Sequence, residues 1–423
     1  MLKPEIQAAY IAILQEELVP ATGCTEPIAV AYCGAKLREV LGALPEKALV
    51  EVSGNILKNV KSVVVPNTGG MRGIKAAVAA GLVAGQADRE LEVISSVPEA
   101  LHGDIIAYME KTPIDVTCSD TPRMLDIRIT GWAGEHSAVV HIANNHSNIV
   151  YIEKDGARLL EKPLDNSSEA GLTDKSVLNL KDILAFAGEV DLSLVSGLLE
   201  RQIEYNSAIA EEGLKHDWGA NIGSTLLKEY GSDIKVEARA WAAAGSDARM
   251  SGCEMPVVIN SGSGNQGITS SLPVVRYAKH LKATKEQLYR ALLVSDLVTI
   301  YQKAGIGRLS AYCGAVSAGV GAGAGVAYLQ GADYDAIAHT IVNAVAILSG
   351  TICDGAKPSC AAKIAASVDA GLLGYQMYLN GRNFQGGDGI VGKNVSETVA
   401  NVGVLAKEGM RSTDRTILQI MTQ

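Results

Sequence analysis

The sequence predicts an α+β fold, in which a mainly helical, Gly/Ala-rich domain carries an inserted α+β domain. From residue 176 onward, the pattern is typical of helices separated by glycine-rich turns. Residues 46–160 instead contain short segments in which apolar and polar side chains alternate, which indicates strands with one covered face. Aromatic residues make up only 4% of the chain against 44 glycines, which favours close packing of helices over aromatic-filled cores.

The predicted elements follow from local signals along the chain. Two helices are expected in the first 45 residues: one at 4–19, ended by Pro20, and one at 27–41, opened by Pro27. Helices at 71–84 and 99–109 are expected to cover the predicted sheet. A polar linker is predicted at 161–174, around Asn166, Ser167 and Ser168. The strands are predicted at 48–52, 63–65, 91–94, 114–117, 125–129, 138–142 and 149–152.

These elements divide the 423-residue chain into two parts. The first two helices have the same character as the C-terminal half, so we expect them to pack with it. Residues 1–45 and 161–423 therefore form the predicted helical domain, and residues 46–160 form the inserted α+β domain.

The composition of the chain argues against some kinds of binding partner and indicates a cellular compartment. The formal net charge of −9 argues against general binding to nucleic acid or to anionic membranes. Seven cysteines in irregular spacing, behind an N-terminus that does not resemble a signal peptide, predict a reducing cytoplasm. Two long uncharged runs, 310–332 and 337–353, consist mainly of Ala, Gly and Ser, so we predict buried helices and no membrane span.

Cysteines beside predicted helix starts are the candidate chemical groups. Cys353 and Cys360 flank the turn Asp-Gly-Ala-Lys-Pro-Ser, Cys313 precedes a helix-like run, and Cys24 stands shortly before Pro27. Thiolates suit iron–sulfur clusters, and the positive end of a helix favours anions and lowers thiol pKa. The spacing matches no ferredoxin pattern, so these cysteines could equally be buried apolar residues. The cysteines at 33, 118 and 253 lack the turn context, and we expect them to pack in the core.

Two glycine-rich turns are candidate sites for a substrate carboxylate. The stretch at 260–267 is Asn-Ser-Gly-Ser-Gly-Asn-Gln-Gly, which could offer amide groups and backbone N–H groups, or be an ordinary turn. From it we select the polar residues Asn260, Ser261, Ser263 and Asn265. Arg72, after a second Gly-rich turn, could pair with a carboxylate or form a surface salt bridge.

Several other polar residues carry weaker signals. His136, His141 and His146 are spaced five apart in a strand-rich region, which is not a zinc pattern. His339 and Lys363 lie in helices flanking Cys353, where they could reach a common centre or fill a core or surface role.

The motifs Gly-Cys-Thr-Glu-Pro at 23–27, Asn-Ser-Gly-Ser-Gly-Asn-Gln-Gly at 260–267 and Cys-Asp-Gly-Ala-Lys-Pro-Ser-Cys at 353–360 together resemble a known family. In this order they are similar to the iron–sulfur L-serine dehydratase alpha-chain superfamily over essentially the whole chain. Within it they resemble the L-cysteine desulfidase branch, which includes bacterial proteins of the UPF0597 type. The short interval between Cys353 and Cys360, and the lack of a Cys-Asp-Pro-Val pattern, depart from the serine dehydratases.

The resemblance implies a lyase with a 4Fe–4S cluster in its helical domain. Cys313, Cys353 and Cys360 fall where the cluster ligands are, leaving one iron free for substrate. Cys24 falls where the desulfidase branch has a functional cysteine, either a base or an alternative ligand, and we select it as the base. The implied reaction is β-elimination from a small amino acid, so that cysteine yields pyruvate, ammonia and hydrogen sulfide.

Three other functions stay open at this level. The same superfamily contains L-serine dehydratases, for which serine would be the substrate. A pyridoxal-phosphate lyase would use the 260–267 turn as a phosphate cradle, although no lysine stands out as its partner. A non-catalytic iron–sulfur sensor would use Cys24 as a fourth ligand. Glycine-rich helix faces further predict a homodimer.

Overall fold

A computed structural model of the chain describes residues 2–121, 123–164, 172–307 and 310–422. They form the predicted α+β fold. The strands are β1 Pro20–Thr22, β2 Lys47–Val52, β3 Ile114–Cys118, β4 Asp126–Ala133, β5 His136–Ala143, β6 Ile149–Lys154, β7 Ala157–Glu161 and β8 Pro256–Val258. The helices are α1 Pro4–Glu17, α2 Thr25–Leu41, α3 Gly54–Val60, α4 Gly73–Ala84, α5 His102–Lys111, α6 Leu180–Glu189, α7 Ser196–Lys215, α8 Ile222–Tyr230, α9 Ile234–Met250, α10 Gly264–Leu281, α11 Lys285–Ile306, α12 Gly314–Leu329, α13 Tyr334–Leu348, α14 Cys360–Leu379, α15 Val395–Val404 and α16 Arg411–Thr422. Short 3-10 or π turns occupy Ala87–Glu92, Glu99–Leu101, Lys175–Val177, Leu192–Leu194 and Leu405–Gly409.

Six strands form one mixed sheet in the order β3-β2-β4-β5-β6-β7. Only β2 and β3 run parallel, and the remaining pairs are antiparallel. A separate antiparallel pair, β1 with β8, joins residue Pro20 to Val258. This pair connects the chain just before Cys24 to the chain just before Asn260, so two distant motifs start from neighbouring strands.

The helix that covers the sheet is α2, which corrects the prediction that it packs with the C-terminal half. Its side chains are buried almost throughout, including Ile28, Val30 and Leu37. A helix that is apolar on all sides needs neighbours on both faces. Here α2 lies between strands β4 and β5 on one face and α4 on the other.

Two of the predicted strands are wrong. Residues 63–65 follow α3 and make only an isolated bridge, between Val64 and Arg72. Residues 91–94 end a 3-10 turn and continue as a turn. Both segments include apolar residues that are buried in the second core by packing rather than by strand pairing, and composition alone does not separate the two cases. The strand predicted at 48–52 and the four predicted between 114 and 152 are confirmed, whereas α3, β1, β7 and β8 were not predicted.

The buried residues form two large cores. The first contains α1 and the helices after residue 178, and the second contains α2 to α5 and the six-stranded sheet. The division into a helical domain and an inserted domain stays a prediction, and the cores favour a boundary near residue 24 instead of 45. The predicted linker residues Asn166, Ser167 and Ser168 lie outside the described residues.

Close helix packing, expected from the glycine content, is found between α12 and α14. A Cβ added at Gly319 would lie 2.3 Å from the Ser367 carbonyl oxygen, and one at Gly371 would lie 2.2 Å from that of Gly319. Only glycine permits this backbone approach. Among the described residues, no helix has both the length and the apolar content of a membrane span.

Candidate metal and active site

A cavity of about 120 Å³ is lined by residues from both cores. Its size suits a small ligand. The polar and sulfur-bearing side chains that line it include Cys24, Thr25, Glu26, Asn55, Lys58, Asn59, Arg249, Ser263, Asn265, Gln266, Lys303, Ser310, Tyr312, Cys313, Cys353 and Cys360. The cavity thus collects the four cysteines that the sequence singled out, although they are separated by up to 336 positions (24 to 360) in the chain.

Cys313 and Cys353 are held together by backbone pairing of their loops. The Cys313 N–H donates to the Thr351 carbonyl at 3.1 Å, and the Cys353 N–H donates to the Ala311 carbonyl at 2.6 Å. These bonds flank an isolated antiparallel bridge in which Tyr312 pairs with residue 352. The bridge holds the two cysteines at one wall of the cavity.

Cys360 is the first residue of α14, and the turn before it is fixed by ion pairs. Asp354 accepts from Lys363 Nζ at 2.5 Å and also pairs with Lys357. Burial favours a higher pKa for Asp354, but the hydrogen bonds from Lys357 and Lys363 prevail and lower the pKa. Lys363 also donates to the Ile352 carbonyl at 2.9 Å, so it braces the turn from behind.

The expectation that helix starts lower the thiol pKa values is wrong for the protein without metal. Cys24 and Cys313 are the N-caps of α2 and α12, as the sequence indicated. Burial nevertheless raises the pKa of Cys313 to about 12, with a further contribution from Cys353. Burial and Cys353 also raise the pKa of Cys360. Desolvation therefore outweighs the helix dipole, and a metal would have to displace these protons.

Cys24 faces a buried carboxylate that the sequence analysis did not select. Its thiol donates to Glu26 Oε2 at 3.0 Å, and Asn59 donates to Glu26 Oε1 at 3.2 Å. Burial and the negative charge of Glu26 raise the pKa of Cys24 well above 9.0. Burial alone would raise the pKa of Glu26, but the charge of His146 and the bond from Cys24 lower it. Cys24 is therefore a protonated thiol beside an ionised acceptor.

The glycine-rich stretch at 260–267 contributes only part of its polar residues to the cavity. Ser263 and Asn265 line it, together with Gln266. Asn260 and Ser261 lie behind: Asn260 Nδ2 donates to Asp296 Oδ1 at 3.0 Å, and Ser261 donates to Asn260 at 2.9 Å.

Asp296 on α11 anchors this turn from inside the first core. Besides Asn260, its Oδ1 accepts from Gln202 at 3.0 Å and from Ser270 at 2.8 Å. Burial raises the pKa of Asp296 to about 6 despite these donors. The sequence offered no signal for Asp296, because its partners come from two other helices, α7 and α10, and from a turn.

Other predicted residues do not reach the cavity. Arg72, predicted as a substrate ligand, is exposed, does not line the cavity and donates to the Ser62 carbonyl at 3.4 Å. His339 lines a different cavity and stacks on Tyr378. His136 and His141 pair with different carboxylates, Asp155 and Asp126 respectively.

The remaining cysteines also lie outside the cavity. Cys33 and Cys253 are buried in the cores, as predicted. Cys118 is exposed at the end of the edge strand β3, which corrects its assignment to the core.

The cavity has a positive lining that the sequence analysis missed. Among the described residues, it has three cations, Lys58, Arg249 and Lys303, against one carboxylate, Glu26. Lys58 forms a buried ion pair with Asp414 of α16 at 2.5 Å. Such a lining favours anionic ligands. Lys58 and Arg249 are 191 positions apart in the chain, so no local sequence pattern relates them.

Three cysteines of the cavity have the donor type that iron–sulfur clusters take. No group of three His, Cys, Asp or Glu side chains within the described ranges is placed to hold one metal ion. Cys313, Cys353 and Cys360 are free thiols around one cavity, the ligand type that such clusters take.

Comparison with known proteins shows to which protein family the chain belongs. The model of the family described as serine dehydratase alpha chain matches residues 141–419, which include β8, the glycine-rich turn and Cys313, Cys353 and Cys360. The chain belongs to this family.

Full-length relatives give a finer grouping. A UPF0597 protein of Desulfitobacterium hafniense is 57% identical over 97% of this chain and 96% of its own length. UPF0597 proteins of Treponema denticola and Lachnoclostridium phytofermentans are 48% and 50% identical, each over 97% of this chain and 97% and 98% of their own lengths. The resemblance to UPF0597-type proteins is thereby confirmed. These alignments cover 97% of this chain, so they also extend over the segment that forms the six-stranded sheet.

Proposed function

We propose that the protein is an iron–sulfur-dependent lyase, an L-cysteine desulfidase that converts L-cysteine and water to pyruvate, ammonia and hydrogen sulfide. The observation that carries the proposal is the convergence of Cys313, Cys353, Cys360 and Cys24 on one small cavity with a positive lining. In this proposal the first three cysteines hold a 4Fe–4S cluster, and Cys24 does not. When bound, a cluster with one iron not held by thiolate would supply a Lewis acid.

Residues of the chain would carry out the proton transfers of the reaction. Cys24 is proposed to take the α-proton of the substrate after passing its own thiol proton to Glu26 Oε2, which lies 3.0 Å away. The Cα–H bond breaks as the new S–H bond forms, and the C–S bond breaks as the double bond between Cα and Cβ develops, so that the sulfur leaves with the bonding electron pair as hydrosulfide. The resulting aminoacrylate tautomerises and hydrolyses to pyruvate and ammonia after release.

The turn at 260–267 is proposed to orient the substrate. Ser263 and Asn265 line the cavity beside the first turn of α10, and the first backbone N–H groups of a helix can bind an anion. Asn260 and Ser261 would act indirectly, through the bonds that fix the turn to Asp296. The buried residues of the site, which include Cys24, Glu26 and Cys313, would limit the access of water to the reacting carbon.

L-serine dehydratase activity is the second candidate. It is favoured by the matched family, whose description names serine dehydratase. The two substrates differ only in the β-substituent, and the cavity lining includes thiols and amides, which can hydrogen-bond to a thiol or to a hydroxyl. We further propose that the protein acts in the cytoplasm as a homodimer, which size-exclusion chromatography with light scattering would test.

One experiment separates the functions. The protein is purified without oxygen, its iron and acid-labile sulfide are quantified, and pyruvate and sulfide release are measured with L-cysteine and L-serine. The proposal expects a brown protein that releases sulfide from cysteine faster than pyruvate from serine. A cluster without turnover would support a sensor, and activity that survives iron chelation with a yellow chromophore would support pyridoxal phosphate. The variant Cys118→Ser, altered at an exposed cysteine outside the cavity, is the control for loss of a cysteine and should keep both iron and activity.

A further inference from the structure

Arg249 is a buried cation whose charge is not matched by a bonded carboxylate. It lies in the last turn of α9 with 5% of its surface exposed, and its side chain lines the cysteine cavity. Nη2 donates to the Gly23 carbonyl at 2.8 Å, and Nη1 donates to Asn265 Oδ1 at 3.2 Å. Both acceptors are neutral. Within the described residues, Arg249 forms no ion pair, although Glu26 is close enough for the charges to interact.

The guanidinium group retains donors for a further ligand. Arginine has five N–H donors, and the two bonds to Gly23 and Asn265 use two of them. Its Nε is buried and has no hydrogen-bond partner in the described part of the chain. Burying a cation without an anion is costly, so binding an anion here is favourable.

The two other cations of the cavity are already engaged. Lys58 is paired with Asp414 at 2.5 Å, and Lys303 has an interaction of its own. Gly264 explains how Arg249 reaches its position, because a Cβ at Gly264 would lie 2.3 Å from Arg249 Nε. The turn therefore leaves space for the guanidinium beside Ser263 and Asn265.

We infer that Arg249 binds the carboxylate group of the substrate and so makes the site selective for compounds that carry a carboxylate. This inference deepens the proposed function and rests on it. A planar guanidinium can hold a carboxylate through two parallel hydrogen bonds, which fixes its orientation as well as its charge. Arg249 thereby takes the role for which sequence patterns had favoured the exposed Arg72.

A pair of small thiols separates carboxylate binding from other contacts. β-Mercaptopropionate carries the thiol and the carboxylate of cysteine but no amine, whereas cysteamine carries the thiol and the amine but no carboxylate. Their dissociation constants are measured by calorimetry, and their inhibition constants by kinetics, on the anaerobically purified iron-containing protein. The variants are Arg249→Gln and Arg249→Lys, with Arg239→Gln as control, since Arg239 lies on the same helix and pairs with Asp369 at 2.9 Å.

The expected result is selective. Arg249→Gln should weaken β-mercaptopropionate binding roughly ten- to hundredfold, as for loss of a charged hydrogen bond, while cysteamine binding changes less than about twofold. Arg249→Lys keeps the positive charge but not the two parallel N–H donors of the guanidinium group, so it should weaken β-mercaptopropionate binding to an intermediate extent. Iron content should equal that of the wild type in all variants, and Arg239→Gln should bind both thiols normally.

Other outcomes overturn the inference or the proposed function separately. Equal weakening of both thiols, or an unchanged affinity for β-mercaptopropionate, means that Arg249 only holds the Gly23 and Asn265 segments. If Arg249→Gln loses its iron, the affinities of Arg249→Lys for the two thiols decide whether Arg249 binds the carboxylate or only holds the Gly23 and Asn265 segments. If Arg249-dependent carboxylate binding is found but neither cysteine nor serine is consumed, the lyase proposal fails and the carboxylate site stands. If Arg249→Gln instead turns over substrate with an unchanged KM, the lyase proposal stands and the carboxylate-binding role of Arg249 fails.

Discussion

The Cys24 thiol donates a hydrogen bond to Glu26 Oε2 at 3.0 Å, inside the cavity that both residues line. The two residues lie in the first turn of α2 and its N-cap, where the chain leaves strand β1. The pair couples a thiol that keeps its proton to a carboxylate that loses its own. A proton can pass between them without solvent, which is the property that a buried acid–base site needs.

Cys24→Ala should strongly lower turnover and leave the cluster in place. If Cys24 moves the α-proton, its loss should lower kcat by roughly a hundredfold to ten-thousandfold, the usual contribution of a general base. The measurements are pyruvate and sulfide release together with the visible absorbance and iron content. Cys118→Ala, at the exposed cysteine, should retain both. Loss of iron in Cys24→Ala would instead make Cys24 a ligand.

Glu26→Gln should lower the pKa of Cys24, although not to that of an exposed thiol. Burial raises this pKa most, and the negative charge of Glu26 raises it further. Replacing the carboxylate by a neutral amide removes the second effect only. The rate of alkylation of Cys24 by iodoacetamide, followed by mass spectrometry over a pH series, should rise at lower pH in Glu26→Gln. Identical pH profiles for the variant and the wild type would show that the two groups are not coupled.

Single Cys→Ser changes at 313, 353 and 360 should each reduce bound iron and acid-labile sulfide together. A serine oxygen is a harder ligand than a thiolate and suits iron–sulfur units poorly. Because the Cys313 and Cys353 loops are joined by backbone hydrogen bonds, the variants should keep the far-ultraviolet circular dichroism of the wild type. Full iron content in any one of the three would remove that cysteine from the ligand set. Cys253→Ser is the control, because Cys253 is buried but lies outside the cavity. It shows whether a Cys→Ser change at a buried position lowers the iron content without removing a ligand.

Asp296→Asn should become more stable, relative to the wild type, as the pH rises. Burial raises the pKa of Asp296 from 3.8 to about 6, so the folded protein holds this proton more tightly than the unfolded chain does. The resulting stabilisation is complete below the unfolded pKa and is lost as the pH rises through the folded pKa. Between pH 5 and pH 8 the wild type should lose about 1–2 kcal/mol of unfolding free energy that the variant keeps. Urea unfolding at the two pH values measures this difference, and parallel pH dependences would contradict it.

Local patterns in the sequence determined a large part of this protein. Alternating apolar residues identified the strands at 114–152, and glycine and proline positions identified the helix starts beside Cys24, Cys313 and Cys360. These features depend on side chains close together in the chain, which is why they could be predicted. The choice of the four cysteines also came from their local turn context, and the fold brings all four to one cavity.

The tertiary structure alone decided the environment of those cysteines. Burial reverses the effect that a helix start would have on the pKa of Cys24, and a sequence does not report burial of a turn. Arg249 was not predicted because its partners, Gly23 and Asn265, come from distant segments. Arg72 was selected because it follows a glycine-rich turn, yet that turn ends on the surface. Local conformation follows from neighbouring residues, whereas charge, solvation and the meeting of distant side chains follow from how the two cores pack.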